Sequence, residues 1–278
     1  MRKSLFFTFL MLVLAIAGFG QSDEDQFNGN KNKKEKLAVT VFQAAGPNAA
    51  SIQSTVDQFR AALGNPNGNT PGPLAAGRRE INWDGGNPNV TVTSPGPTPF
   101  DVFLNTRGAR FITPGTGFVQ ATPQGMAETF NNPTYAQIFS TFSPSRLFAP
   151  VGSRITDSVF FIPGGNGGTR AAVRGFGAVF TDVDQQDSRG EDFRREHGRD
   201  NTEVEYFDAY GRLLFTSVVP ASPGDGGLSF LGIVLDDARI AKVRIVTDAA
   251  PGGDDTDNRD IVVMDDFIYA EPQALPLY

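Results

Sequence analysis

The sequence predicts an all-β fold, a jelly-roll-like antiparallel β-sandwich with one N-terminal α-helix. Three observations lead there. Glycine and proline are frequent, 31 and 19 of 278 residues, and they cut the chain into short pieces. The apolar runs between those breaks lack a helical period in all but one segment. Phenylalanine, with 24 residues, is the dominant large side chain, and it suits the space between two packed sheets.

At the N-terminus Arg2 and Lys3 precede an apolar run from Leu5 to Ala17, and the small residues Ala15, Ala17, Gly18 and Gly20 close the segment. That is the layout of a secretory signal peptide over 1–20, with cleavage expected after Gly20. The run is shorter than the roughly 20 residues that span a bilayer, and no cysteine follows it to take a lipid. Residues 21–36 are polar and charge-mixed and read as a disordered spacer. One domain is expected over 37–272, with 273–278 as a tail.

Inside the domain, the segment 37–42 (LAVTVF) suits a first strand. Helix 48–63 follows because Ile52, Val56, Phe59 and Leu63 fall on one helical face; Pro47 and Asn48 mark its start and Gly64 its end. This helix is expected to cover an edge or one end of the sandwich. The stretch 65–77 is a loop by composition. Strands are predicted at Arg79–Trp83, Phe100–Leu104, Ala109–Ile112, Asp157–Ile162, Ala171–Thr181, Thr202–Phe207, Leu213–Val219, Leu228–Leu235, Ile240–Thr247 and Asp260–Tyr269. Glycine-rich turns separate them, and Asp208–Gly211 reads as a hairpin loop. No fixed-period repeat is present, which argues against propellers and solenoids. The intervals 113–156 and 182–201 are too long for turns and are expected to be loops that carry function.

The formal charge of −7 becomes −9 when Arg2 and Lys3 leave with the signal peptide, a poor balance for nucleic-acid binding. The absence of cysteine means that an exported product has to be stable through its core alone; roughly 240 residues suffice for that. A secreted or periplasmic location, with no membrane attachment after cleavage, is the expectation.

An ordered series of segments occupies the C-terminal half: GFGAVFTDVD (175–184), VEYFDAYGRLLF (204–215), LSFLGIVLDDARIAKVRIVT (228–247) and VVMDDFIYAEP (262–272). It resembles the jelly-roll sandwiches of secreted bacterial proteins of unassigned role, some of which carry PEP-CTERM sorting tails. The last strand, Met264 to Ile268, is also similar to the closing strand of several carbohydrate-binding modules. The resemblance covers about a third of the chain and implies fold more firmly than activity. The chain stops at Tyr278 without the apolar helix and basic end of a sorting tail, so release is expected rather than anchoring. Sugar platforms favour exposed Trp and Tyr, yet the chain has one Trp and five Tyr. Trp83, beside a turn, is the candidate ligand-binding aromatic, with burial and exposure both open.

The only histidine, His197, lies in a highly charged segment and reads as solvated rather than as part of a catalytic triad. With one His and no Cys, histidine-rich zinc sites are excluded. Paired carboxylates suffice for glycoside hydrolysis, and the candidates are Glu203 with Glu205, two apart on one strand face, and Glu80 with Asp84. Solvent-facing acids on a half-exposed strand share that pattern. Oxygen ligands for a hard cation are better supplied. Residues 254–260 hold Asp254, Asp255, Asp257, Asn258 and Asp260, and Asp182, Asp184 and Asp187 form a second cluster; neither fits an EF-hand loop. Strict alternation along 261–269 puts Asp265 in one apolar row and Asp266 in the other, so one of the two faces the core and needs a partner. A structural calcium ion is therefore expected near the final strand, drawing on Asp265, Asp266, Asp84, Asp255 and Asp257. Arg or backbone N–H groups are the alternative partners. The glycines of 164–168 lack the Lys-Ser or Lys-Thr of a phosphate loop.

Together these readings point to an exported, non-catalytic protein that binds extracellular or cell-surface glycan. The rivals are a carbohydrate-active enzyme and a structural or matrix protein without a small ligand.

Overall fold

Alternating polar and apolar residues give the chain its strands, and the strands form two seven-stranded sheets. The computed structural model describes residues 37–85, 95–184, 201–256 and 259–275; the chain from Leu37 onward is one compact unit. In chain order the elements begin with β1 (Val39–Gly46), α1 (Ala49–Leu63), β2 (Arg78–Ile81), α2 (Leu104–Arg107), β3 (Ala109–Ile112) and β4 (Gly117–Ala121). Next come α3 (Pro123–Phe130), α4 (Tyr135–Ile138), β5 (Leu147–Val151), β6 (Ile155–Phe161), β7 (Arg170–Ala172) and β8 (Gly175–Thr181). The chain ends with β9 (Glu203–Phe207), β10 (Leu213–Val218), β11 (Leu228–Leu235), β12 (Lys242–Val246), β13 (Val263–Ala270) and β14 (Gln273–Ala274).

The first sheet runs β1-β11-β8-β13-β5-β4, with β2 also on β13. The second runs β10-β9-β12-β6-β7-β14, with β3 also on β6. All the strand pairs are antiparallel. Between the sheets lies an aromatic core. Trp83 stacks on Phe148 with ring centroids 3.7 Å apart, Phe148 stacks on Phe118, and Phe267, Phe176 and Tyr269 continue the layer towards Phe160 of the second sheet. The all-β sandwich expected from composition is the fold of this chain.

The N-terminal helix forms where its spacing predicts it. The Asn48 side chain accepts a hydrogen bond from the backbone N–H of Ser51, and Gly64 ends the helix with a positive φ of 106°. It does not sit on an edge or an end, as expected, but lies across the outer face of the first sheet. The reason is in the sheet: Gly177 and Gly232 leave a flat bed there, and Phe59 rests on it. A Cβ on Gly232 would come within 2.8 Å of the Phe59 ring. Phe42 and Phe230 close around the same ring edge-on.

Several further expectations are corrected. Phe100–Leu104 is not a strand; Phe100 makes one bridge to Phe111 and Leu104 starts a helical turn. Ala171–Thr181 divides into β7 and β8, which belong to different sheets. The interval 113–156 is not a loop but contains β4, α3, α4 and β5. Those helices and strands bury Val119, Met126, Tyr135, Phe139, Leu147 and Val263 in a second cluster, so this interval and α1 together roof the outer face of the first sheet. Within the expected tail, Gln273 and Ala274 pair with β7.

Candidate functional site

The residues expected to carry chemistry fall in four places. Trp83 is fully buried in the aromatic core, and its indole N–H donates to the Asp265 carbonyl at 3.0 Å. A ring enclosed on all sides presents no platform to a ligand, so its expected role as a ligand-binding aromatic is corrected.

Asp84, Asp265 and Asp266 do converge, at a seam in the first sheet. Strand β13 pairs with β5 only at Met264 and with β2 only from Phe267 onward. Between those stretches its register against β8 shifts: Met264 faces Phe180 and Phe267 faces Ala178, so Asp265 and Asp266 together oppose a single residue. This β-bulge inverts the alternation. Neither of the two rows read from the sequence survives, because Met264 joins the inner row before the bulge while Phe267 and Tyr269 form it afterwards.

Both aspartates meet the segment that leads into β5. Asp265 Oδ2 accepts from the N–H groups of Phe142 (2.7 Å) and Ser143 (3.3 Å). The Ser143 hydroxyl donates to Asp266 Oδ1 at 2.6 Å, and Arg60 of α1 reaches Asp266 Oδ2 at 3.3 Å. Asp84 Oδ1 accepts from the N–H groups of Ser145 and Arg146. Protein donors thus take the oxygens that calcium was expected to take, with one exception: Asp265 Oδ1, which is buried and has no hydrogen-bond partner. Burial pushes the Asp265 carboxyl well above its ordinary range, and the adjacent Asp266 pushes it further. Asp266 is also raised by burial, against the pull of Ser143, Asp265 and Arg60. The two titrate as a pair.

Asp255 is elsewhere, and Asp257 lies outside the described residues, as do His197, the signal segment 1–20 and the spacer 21–36. Because Thr181 at the end of β8 pairs with Val263 at the start of β13, the residues after one strand lie beside those before the other. The two acidic segments of the sequence are thereby joined: Asp184, Asp255 and Asp260 bring carboxylate oxygens within 4.8 Å of one another. Asp182 faces the same group. Burial, then the neighbouring negative charges, raises Asp182 to about 8; burial raises Asp260 to about 8 as well, against the hydrogen bond from the Asp184 N–H and with the charges of Asp184, Asp255 and Asp248.

Glu203 and Glu205 project from the outer face of the second sheet, as their spacing predicts, while Val204 and Tyr206 point inward and are buried. Across the strands, the register aligns Thr216, Glu205, Arg244 and Asp157 in one row. Arg244 and Asp157 form a two-pronged ion pair at 2.7 and 2.8 Å. A neighbouring row sets Lys242 4.1 Å above the Phe207 ring and Arg110 above Phe161. Glu80, the other candidate acid, accepts from Arg60 and Arg78.

No known protein family, curated protein or solved structure matches this chain.

Apart from Leu104 at the β3 side, no helix among the described residues packs on the outer face of the second sheet. Among the described residues, Glu205, Arg244 and Asp157 on this face are half-buried and alternate in charge. Sequence reasoning reached Glu203 and Glu205 but missed Arg244 and Asp157. The signal was available, since KVRIV and ITDSV carry their charges at the alternating positions of half-exposed strands. Ser143 and Arg60 carried no such signal, because only the bulge brings them to the aspartates. No helix of the described residues is long and apolar enough to cross a membrane.

Proposed function

We propose that this chain is an exported, non-catalytic binding protein that uses the outer face of the second sheet, with extracellular or cell-surface glycan as its ligand. The observation that supports the reading is an asymmetry of the sandwich among the described residues. The first sheet's outer face is roofed by α1, α3 and α4, whereas on the second sheet's the described helices leave a half-exposed polar row of Thr216, Glu205, Arg244 and Asp157. Such a row offers both donors and acceptors to neutral hydroxyls. The Arg244–Asp157 pair fixes two of its side chains in advance, which lowers the ordering cost of binding. With Trp83 buried, recognition rests on polar contacts and the aliphatic edge at Leu213 and Val218 rather than on aromatic stacking. Export is supported by the signal-peptide layout of residues 1–20.

The hydrolase reading is less well supported. Catalytic carboxylates flank a glycosidic bond from opposite sides, whereas Glu203 and Glu205 project side by side from one strand, and Arg244 lies opposite Glu205 in the register. A glycan array probed with the full chain tests the proposal. Binding that is lost in Arg244→Ala and in Glu205→Ala is the expected result. An array without hits removes glycan as the ligand, and hits that survive both substitutions remove this face. Release of reducing ends that Glu203→Gln or Glu205→Gln abolishes would make the protein an enzyme instead.

A further inference from the structure

We propose that the acidic pocket between the end of β8 and the start of β13 is a calcium site, with Asp184, Asp255 and Asp260 as its protein ligands and the buried Asp182 beside them. The argument begins with the fold. β8 and β13 are antiparallel neighbours, and Thr181 pairs with both Val263 and Leu228. Residues 182–184 are held by backbone bonds on the β11 side, where the Asp182 N–H donates to the Gly227 carbonyl (3.0 Å) and the Ser222 N–H to that of Val183 (2.8 Å). On the other side the Asp184 N–H donates to Asp260 Oδ2 at 3.2 Å, and the Ile261 N–H to Asp255 Oδ1 at 2.8 Å. The carboxylates stand just beyond the strand ends, and these hydrogen bonds tie their backbone and side chains to one another.

The spacing fits a hard cation. Calcium binds oxygens at about 2.3–2.6 Å, so two ligands on opposite sides of the ion lie at most about 5 Å apart. Oxygens of Asp184, Asp255 and Asp260 meet that limit mutually, at 4.8 Å or less.

Close acids alone do not make a site, and the deciding observation is Asp182. It is 2 % exposed, held at a left-handed φ of 66°, and its Oδ2 is buried with no hydrogen-bond partner. The carboxylates of Asp255, Asp184, Asp260 and Asp225 act on it and make it harder to ionise. Asp260 Oδ1 is likewise buried and unpartnered. Two enclosed carboxylate oxygens without donors, in a group of like charges, are costly as they stand. A divalent cation answers both the charge and the missing partners. An all-oxygen, carboxylate-rich donor set selects calcium over zinc or copper, and its irregular geometry suits calcium better than the strict octahedron of magnesium.

The test uses the full chain, stripped with chelator and titrated with calcium chloride by calorimetry, with melting recorded in parallel. One calcium per chain is expected, together with a rise of several degrees in Tm at millimolar calcium and a much smaller rise with magnesium. Asp260→Asn should weaken binding at least about tenfold, the scale of one lost charged ligand, and Asp182→Asn should weaken it less, through the loss of a neighbouring charge. They should also raise Tm in chelator, because each removes repulsion from the empty pocket; a variant that had merely misfolded would melt lower. Asp237→Asn, at an exposed acid paired with Arg239, should change neither quantity. The proposal fails if the stripped protein takes up no calcium at 10 mM, on the scale of the weakest extracellular sites, or if calcium binds unchanged in both Asn variants.

Discussion

Removing the Glu271 carboxylate should destabilise the domain by about 3–5 kcal/mol, the usual cost of leaving one partner of a buried ion pair alone. Glu271 is 2 % exposed and Arg79 is not exposed at all. The carboxylate accepts four hydrogen bonds: from Arg79 Nε (2.6 Å), Arg79 Nη2 (2.7 Å), Asn67 Nδ2 (2.7 Å) and the Leu74 N–H (3.1 Å). After Glu271→Ala, the guanidinium keeps only the Gly68 carbonyl, reached by Nη1 at 2.8 Å, and the loop 65–77 loses the bonds from Asn67 and Leu74 to this carboxylate, keeping those of the residue 271 N–H to Gly77 and of Gln273 to Leu74. Arg79→Met should cost a similar amount, since it leaves a buried carboxylate with two neutral donors. The double variant removes both charges and strands only the two donors, at about 1–3 kcal/mol each if fully buried. Its loss should therefore fall well short of the sum of the single losses. Urea unfolding followed by the fluorescence of Trp83, the one tryptophan and a core residue, gives all four corners of the cycle. A cost under about 1 kcal/mol for Glu271→Ala, or additive single losses, would refute the reasoning, because exposed pairs behave that way.

Two other predictions concern β13 and the roof above it. Burial raises both Asp265 and Asp266, and the charge of Asp266 raises Asp265 further; carboxyls that are harder to ionise when folded contribute stability that is complete below the unfolded value near 4 and is lost as pH rises through the folded values, at up to about 1.4 kcal/mol per pH unit for each proton. Asp265→Asn keeps an acceptor for Phe142 and Ser143 and places an amide donor where Oδ1 lacks a partner. Its stability should fall less steeply with pH than that of the parent chain in urea titrations, and equal slopes would show that the pair shares no proton. Phe59→Ala should cost about 3–5 kcal/mol, because the ring fills the space between α1, Gly177 and Gly232; a loss under 1 kcal/mol would mean that the helix is not anchored there.

Strands with one wet face were legible by alternation: β3 falls at its predicted bounds, and β9 and β12 within a few residues of theirs. β11, buried on both faces, also falls at its predicted bounds, as a short apolar run between turns. The missed segment 113–156 lacks that pattern for a physical reason. β5 (LFAPV) packs on both faces, with Phe148 in the inter-sheet core and Leu147 and Ala149 under α3 and α4, so it reads as a plain apolar run. It also contains Pro150, which argues against a strand unless one edge has no ladder bond to lose. α3 did carry a signal, Thr122 followed by Pro123, and the Thr122 side chain indeed accepts from the Gly125 N–H; at eight residues, however, the helix is too short for its period to stand out.

The two groups of acids show where reading a chain in one dimension stops. At the seam, the alternation argument placed a carboxylate inside the core correctly in kind, but a single extra residue in β13 changed which oxygens meet which donors. Bulges leave no mark in an apolar pattern, because both residues of the bulge are buried whichever way they turn. In the pocket the reverse holds. Both acidic segments were visible as separate clusters, about seventy positions apart, and neither alone had the spacing of a metal loop. Only the antiparallel pairing of Thr181 with Val263 makes them one constellation. The pairing is itself a consequence of readable apolar strands, so the site follows from the fold rather than from any local motif. A chain that leaves an enclosed carboxylate oxygen without a donor at each end of such a pairing, on Asp182 and on Asp260, bears a cost that binding a cation or a proton relieves. Which of the two it binds is what the calcium titration decides.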